Sequence, residues 1–153
     1  AASDRVHWRR MSRTSRLAVR VEKTTLAGVT PHVSPWLVGV LAWLIPGAGH
    51  FLQGYHRKAL VFFGVLTAMF AIGLAFGGRL FPIQLREPLV FLAALAEWTI
   101  ALPRVVGAVG GMGSGDVVGV TYEYGNTFLI VSGLLNALVL LDAIDRSTGR
   151  KPR

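Results

Sequence analysis

Residues 35–78 read PWLVGVLAWLIPGAGHFLQGYHRKALVFFGVLTAMFAIGLAFGG. Two apolar runs stand back to back in this stretch. The first, residues 35–52, is interrupted by Pro46-Gly47-Ala48-Gly49-His50. A polar turn follows, Gln53-Gly54-Tyr55-His56-Arg57-Lys58. The second run, residues 59–78, has twenty residues, no charge, and Thr67 as its only polar side chain. Twenty helical residues at 1.5 Å each span about 30 Å, the thickness of a bilayer's hydrocarbon core. The stretch therefore predicts a helical hairpin embedded in a membrane.

Composition agrees. Of the 153 residues, 52% are hydrophobic and 16% charged, and mean hydropathy is +0.51. Soluble domains carry about 25% charged residues, so the deficit fits a surface that faces lipid. The chain has no cysteine, which excludes disulfides, thiolate catalysis, Cys-ligated zinc and iron–sulfur clusters. The first long apolar run opens only after residue 34, too late for a cleaved secretory signal. The chain opens on Ala1-Ala2 rather than Met, so its start is read as processed or trimmed.

Outward from the hairpin, residues 1–34 form a basic arm and linker. Seven of the sixteen basic residues fall between residues 3 and 25. Arg5, Arg9, Arg13, Arg16 and Arg20 are spaced 4, 4, 3 and 4, one stripe if the arm is helical. The alternation of Leu17, Val19 and Val21 with Ala18, Arg20 and Glu22 suits an extended segment equally. These arginines are candidates for docking on anionic lipids or a partner protein. Trp8 is the arm's only aromatic residue, too little stacking surface for nucleic acid.

A third apolar run, residues 89–109, is interrupted by Glu97, Pro103 and Arg104. Its leucines and other apolar residues each favour insertion by about 0.3–0.6 kcal/mol. A central charge costs about 2.5–3.5 kcal/mol, so the sum is near zero. This segment is expected to insert with help from its neighbours or with Glu97 protonated. After a glycine-rich loop, residues 127–141 form a fourth run that contains Asn136.

The expected fold is an all-α membrane protein of four transmembrane helices in two hairpins. The transmembrane domain is placed at residues 35–146, with a basic tail at 147–153. The rival is a first run that re-enters, because Pro46 and the glycines break it; non-helical backbone at that depth needs protein or water cover. With both termini cytoplasmic, four spans put thirteen of the sixteen basic residues inside and only Arg57, Lys58 and Arg104 outside. The turn at residues 53–58 is then expected on the side opposite the termini. The positive-inside rule favours this orientation, in a bacterial inner membrane.

Few residues carry candidate chemistry. Glu97 is an ionisable group within a membrane run, a functional hypothesis by default. Arg104 lies seven positions on, two turns along the same face, and is expected to pair with it through a water or partner group. Asn136 is placed to hydrogen-bond across to Glu97. The three make either an ion site or an interhelical polar clamp, and the clamp is favoured. His50 is the candidate pigment or haem ligand, through a neutral imidazole. Gly73 with Gly77, and Gly133 with Ala137, are candidate helix-packing pairs. The run from Gly110 to Gly115 lacks the Lys-Ser/Thr of a phosphate loop, and no Ser-His-Asp set, metal cluster or paired carboxylate stands out. The sequence requires no cofactor or metal; bound lipid or (bacterio)chlorophyll is the class open to it.

The stretch Ala42-Trp43-Leu44-Ile45-Pro46-Gly47-Ala48-Gly49-His50-Phe51-Leu52-Gln53-Gly54 resembles the opening motif of small uncharacterised bacterial multi-pass membrane proteins. At lower similarity it resembles the two-transmembrane hairpin domain. Tyr122-Glu123-Tyr124-Gly125, Leu134-Leu135-Asn136-Ala137-Leu138, Leu141-Asp142-Ala143-Ile144-Asp145 and Gly149-Arg150-Lys151 are similar to the same family. The resemblance implies a four-helix inner-membrane protein with no assigned chemistry. The expectation is then a non-catalytic accessory subunit of a larger membrane complex, energy-transducing (photosynthetic or respiratory) in kind. The alternatives are a small proton-linked carrier centred on Glu97 and a lipid- or pigment-binding scaffold.

Overall fold

The chain breaks into helices where proline and glycine dictate. The computed structural model describes residues 33–150, so Arg5, Arg9, Arg13, Arg16 and Arg20 of the arm, and the last three residues of the tail, lie outside the described residues. Helix α1, Pro35–Leu44, opens with a proline in its first turn, where a missing N–H costs nothing. It stops at Ile45, which is extended (φ −124°, ψ 119°), as a residue before proline tends to be. Gly47 then turns the chain with φ +79°, and α2, Ala48–Leu52, follows. Helix α3 runs His56–Ala75. Helix α4, Pro88–Trp98, again begins with proline. It ends ahead of α5, Ala101–Val109, and the two are bent by 104°. The cause is Pro103, whose ring and missing N–H forbid a helix continuing through residue 99. Helix α6, Tyr122–Ser147, is the longest.

The described residues are thus helical, with no strand and a single bridge between Arg79 and Ser114. Two helices, α3 and α6, are long and apolar enough to cross a membrane; the bent α4–α5 pair makes a third if it is counted as one span. The ten residues of α1 reach only about 15 Å. The four spans expected from the sequence are therefore not formed as four straight helices.

Helix α6 packs against α1, α2, α3 and α4, so depth can be measured along it. The start of α1 lies at its C-terminal end, where a Cβ on Gly39 would stand 3.3 Å from Ile144. The end of α1 reaches Asn136 through the Ala42 carbonyl. The chain then returns. A Cβ on Gly49 would stand 2.9 Å from Ala143, Gln53 donates to the Ala143 carbonyl at 2.8 Å, and the Arg146 guanidinium lies 5.4 Å from the Tyr55 ring. The turn at residues 53–58 therefore sits at the same end as the basic tail. The sequence expectation placed it at the opposite end, and the break at Pro46 is the reason it failed: half a helix goes down and the chain comes back.

Helix α3 runs the whole way along α6, from Tyr55 beside Arg146 to Gly73, whose Cβ would collide with Leu129 and the Gly125 carbonyl. At this far end Arg79 N–H donates to Asn126 Oδ1 at 2.8 Å. Leu80 N–H donates to the Gly113 carbonyl at 2.9 Å. The segment holding α4 and α5 thus leaves and returns at one end. The core is correspondingly small: Leu66, Phe70, Ile100, Leu129 and Val139 form one cluster, and Val38, Ala42 and Ala143 another. Most other large apolar side chains point outward, including Leu60, Val61, Leu89 and Leu138.

Candidate functional site: a proline-orphaned junction closed by Asn136

An α-helical carbonyl accepts from the N–H four residues on. For Ala42 that residue is Pro46, and for Thr99 it is Pro103; neither has an N–H to give. Two orphaned carbonyls are therefore written into the sequence, and burial would make each costly. Asn136, fully buried on α6, answers both. Its amide nitrogen donates to the Ala42 carbonyl at 3.2 Å and to the Thr99 carbonyl, one proton to each. Trp43, near the end of α1, donates its indole N–H to the Trp98 carbonyl at 2.7 Å. Thr99 Oγ1 shares its proton between the Ala96 and Gly133 carbonyls. Gly133 permits this closeness, since a Cβ there would overlap the Ala96 carbonyl. The broken ends of α1 and α4 thus meet on one face of α6.

Asn136 is engaged by these carbonyls and makes no hydrogen bond to Glu97, contrary to the sequence expectation. Proline breaks create nearer acceptors than the carboxylate. Glu97 and Arg104, expected to communicate through an intermediary along one helix face, instead touch directly. The 104° bend brings α5 back over the end of α4. Glu97 is fully buried and Arg104 nearly so. Glu97 Oε2 also accepts from Phe81 N–H at 3.0 Å, and Arg104 donates to the Phe81 carbonyl at 2.6 Å. The pair therefore grips both polar groups of one peptide residue and fastens the loop after α3 to the broken helix. The Arg104 guanidinium also lies 5.0 Å from the Trp98 ring centroid. Glu97 Oε1, Asn136 Oδ1 and the Trp98 indole N–H are buried without a hydrogen-bond partner.

His50 occupies a second polar cluster at the C-terminal end of α6. Its Nε2 lies 3.0 Å from Asp142 Oδ2, which also accepts from Arg146 Nε at 2.8 Å. The ring packs edge-on against Phe62, centroids 5.1 Å apart, and has no exposed surface. With Nε2 on Asp142 and Nδ1 buried, neither ring nitrogen is open to the metal of a pigment macrocycle. Among the described residues no group of three or more His, Cys, Asp or Glu side chains is placed to hold a metal.

The packing glycines divide. Gly73 and Gly133 sit at close helix contacts with α6 and α4. Gly77 does not: it lies beyond the end of α3 with φ +78°, turning the chain rather than packing a helix. Ala137 is half-buried. Sequence reasoning missed Trp43, Thr99, Phe81 and Asp142. The signal for Thr99 was legible, because Pro103 stands four residues on; the others are set by tertiary contact.

The family model for DUF6677, described as a family of unknown function, matches residues 37–152. The chain belongs to the DUF6677 family. No curated protein and no solved structure matches it. The match covers every element of the junction, from Ala42 and Pro46 through Pro103 to Asn136, and begins after the basic arm. In this DUF6677 chain the arrangement supplies donors to backbone carbonyls that proline breaks would leave bare and a counter-charge to the buried Glu97 carboxylate.

Proposed function

We propose that this protein is a non-catalytic accessory subunit of a larger bacterial inner-membrane complex, of an energy-transducing kind. The observation that carries this is the loop between α5 and α6. Val117, Val118 and Val120 there are 70%, 94% and 93% exposed, off any membrane-length helix and left uncovered among the described residues. Such a patch marks an interaction surface. The mid-depth polar groups support the same reading, since Asn136, Thr99, Glu97 and Arg104 are spent on fastening backbone.

In this reading α3 and α6 cross the membrane, while α1–α2 and α4–α5 enter and return from opposite ends. Buried backbone at the breaks is tolerated because protein side chains cover it. The end that carries the turn and the tail faces the cytoplasm. The arm, Arg57 and Lys58, and the residues from Arg146 onward give that side thirteen of the sixteen basic residues, so the positive-inside rule is kept. The test is purification in mild detergent. The expected result is a larger stoichiometric assembly that V118D/V120D dissociates without unfolding the chain. A lone monodisperse monomer would sink the proposal.

A second reading, a proton-linked carrier, draws on Glu97 Oε1, which is fully buried and unpartnered. It requires Glu97→Gln to abolish flux in proteoliposomes while the fold survives; unchanged flux rules it out.

A further inference from the structure

We propose, resting on the accessory-subunit reading, that Glu97 and Arg104 are positioning residues for the loop between α5 and α6. Through the segment after α3 they fix how Val117, Val118 and Val120 are presented to a partner.

The loop has little shape of its own. Gly111, Gly113 and Gly115 alternate along it with φ of +69°, +82° and +84°, and glycine has the most backbone freedom to lose. Its shape comes from residues 76–81, which lie beside it as a strap. The Thr121 hydroxyl donates to the Phe76 carbonyl at 2.9 Å. Asp116 N–H donates to the Gly77 carbonyl at 2.9 Å, and Leu80 N–H to the Gly113 carbonyl at 2.9 Å. Arg79 and Ser114 form the antiparallel bridge between the two segments. The valines lie between Asp116 and Thr121, so both ends of their turn are tied to the strap. The approach leaves no room for side chains on the loop. A Cβ on Gly113 would collide with Leu80, and one on Gly115 would stand 2.8 Å from Arg79 Cβ.

The strap is itself held, because its consecutive N–H groups go to different elements. Arg79 N–H donates to Asn126 Oδ1 of α6 at 2.8 Å, Leu80 N–H to the loop, and Phe81 N–H to Glu97 Oε2 of α4 at 3.0 Å. The Phe81 carbonyl accepts from Arg104 of α5 at 2.6 Å. A segment outside any helix has no ladder of its own, so its polar groups need partners from elsewhere. Burying an ion pair is a poor way to stabilise a core, since apolar residues of similar volume often serve as well. Apolar residues cannot hold the Phe81 N–H and carbonyl. The pair is therefore explained by the strap it grips. Without that grip the bundle stays packed, but the strap and its loop are freed, and a partner must order them as it binds.

The test replaces the pair as a unit in the full chain in mild detergent. Glu97→Leu/Arg104→Met strands no charge and keeps the site filled. Hydrogen exchange at the Leu80 and Asp116 amides should accelerate about tenfold, the weight of one lost hydrogen bond. Amides around Leu66 and Leu129, in the core of α3 and α6, should stay as slow as in wild type. A nitroxide on Val118→Cys should become mobile in step. The assembly that V118D/V120D dissociates should weaken about tenfold, the cost of ordering a single backbone residue on binding. Gly113→Ala, which parts loop from strap and leaves the pair intact, should loosen the loop and weaken the assembly likewise. Unchanged exchange in both variants, or equal acceleration in α3 and α6, would overturn the proposal. An assembly that survives both variants but not V118D/V120D would overturn it and leave the accessory reading standing. A wild-type chain that forms no assembly would remove both.

Discussion

Replacing Asn136 with leucine removes the donors for two carbonyls in different helices without changing side-chain size much. The Ala42 and Thr99 carbonyls have no alternative, because residues 46 and 103 are prolines, and Asn136 is fully buried, so neither water nor lipid replaces it. An unsatisfied buried acceptor costs about 1–3 kcal/mol in soluble proteins. Interhelical hydrogen bonds in membranes average nearer about 0.6 kcal/mol, because the unfolded chain in a membrane also finds partners. Two such losses therefore give a destabilisation of about 1–6 kcal/mol. The upper half of that range is expected, since the prolines deny the carbonyls a fallback within their own helices. The assay is unfolding in mixed micelles with rising SDS, followed by tryptophan emission. Trp43 and Trp98 sit at the junction itself, so the signal reports its opening. Leu138→Ala, two positions on and 62% exposed, should stay within about 0.5 kcal/mol. An Asn136→Leu variant equally close to wild type would refute the idea that this amide closes the proline breaks.

Arg104→Met should cost about 3–5 kcal/mol by stranding a buried carboxylate, and adding Glu97→Gln should recover part of it; additive losses in the same assay would mean the two do not act as a pair. Gly133→Ala must push α6 off the Ala96 backbone and should cost about 1–3 kcal/mol. Gly64→Ala, with nothing within 4 Å of the new Cβ, should gain about 0.5–1 kcal/mol from helix propensity; equal melting shifts in the two glycine variants would contradict the packing. The chain has no native cysteine, so single-cysteine labelling with an impermeant maleimide can map its ends. Lys58→Cys and Gly149→Cys should label from the same side and Val118→Cys from the other. Opposite labelling of the first two would restore a first run that crosses.

The breaks were legible in the sequence: Pro46 and Pro103 are visible, and the carbonyls they orphan can be counted back four residues. What replaces each missing donor was not legible. Asn136 is 94 residues from Ala42 and 37 from Thr99, and local periodicity carries no information at that separation. The same holds for the contact of Glu97 and Arg104 with Phe81, which needs the loop after α3 folded against a bent helix. His50 looked like a free ligand because its partner, Asp142, lies 92 residues on.

By itself the sequence determined the solvent and the local conformation. Uncharged apolar runs give helices long enough to cross a membrane, and proline and glycine fix where helices begin and stop, since both are properties of a few adjacent residues. Only the tertiary structure decided direction: whether the chain, once broken, continued across or came back. That choice is made by which carbonyls find donors and which surfaces interlock on α6. Those contacts exist only after distant segments have packed, and they turned a first run expected to cross into one that descends to Asn136 and returns.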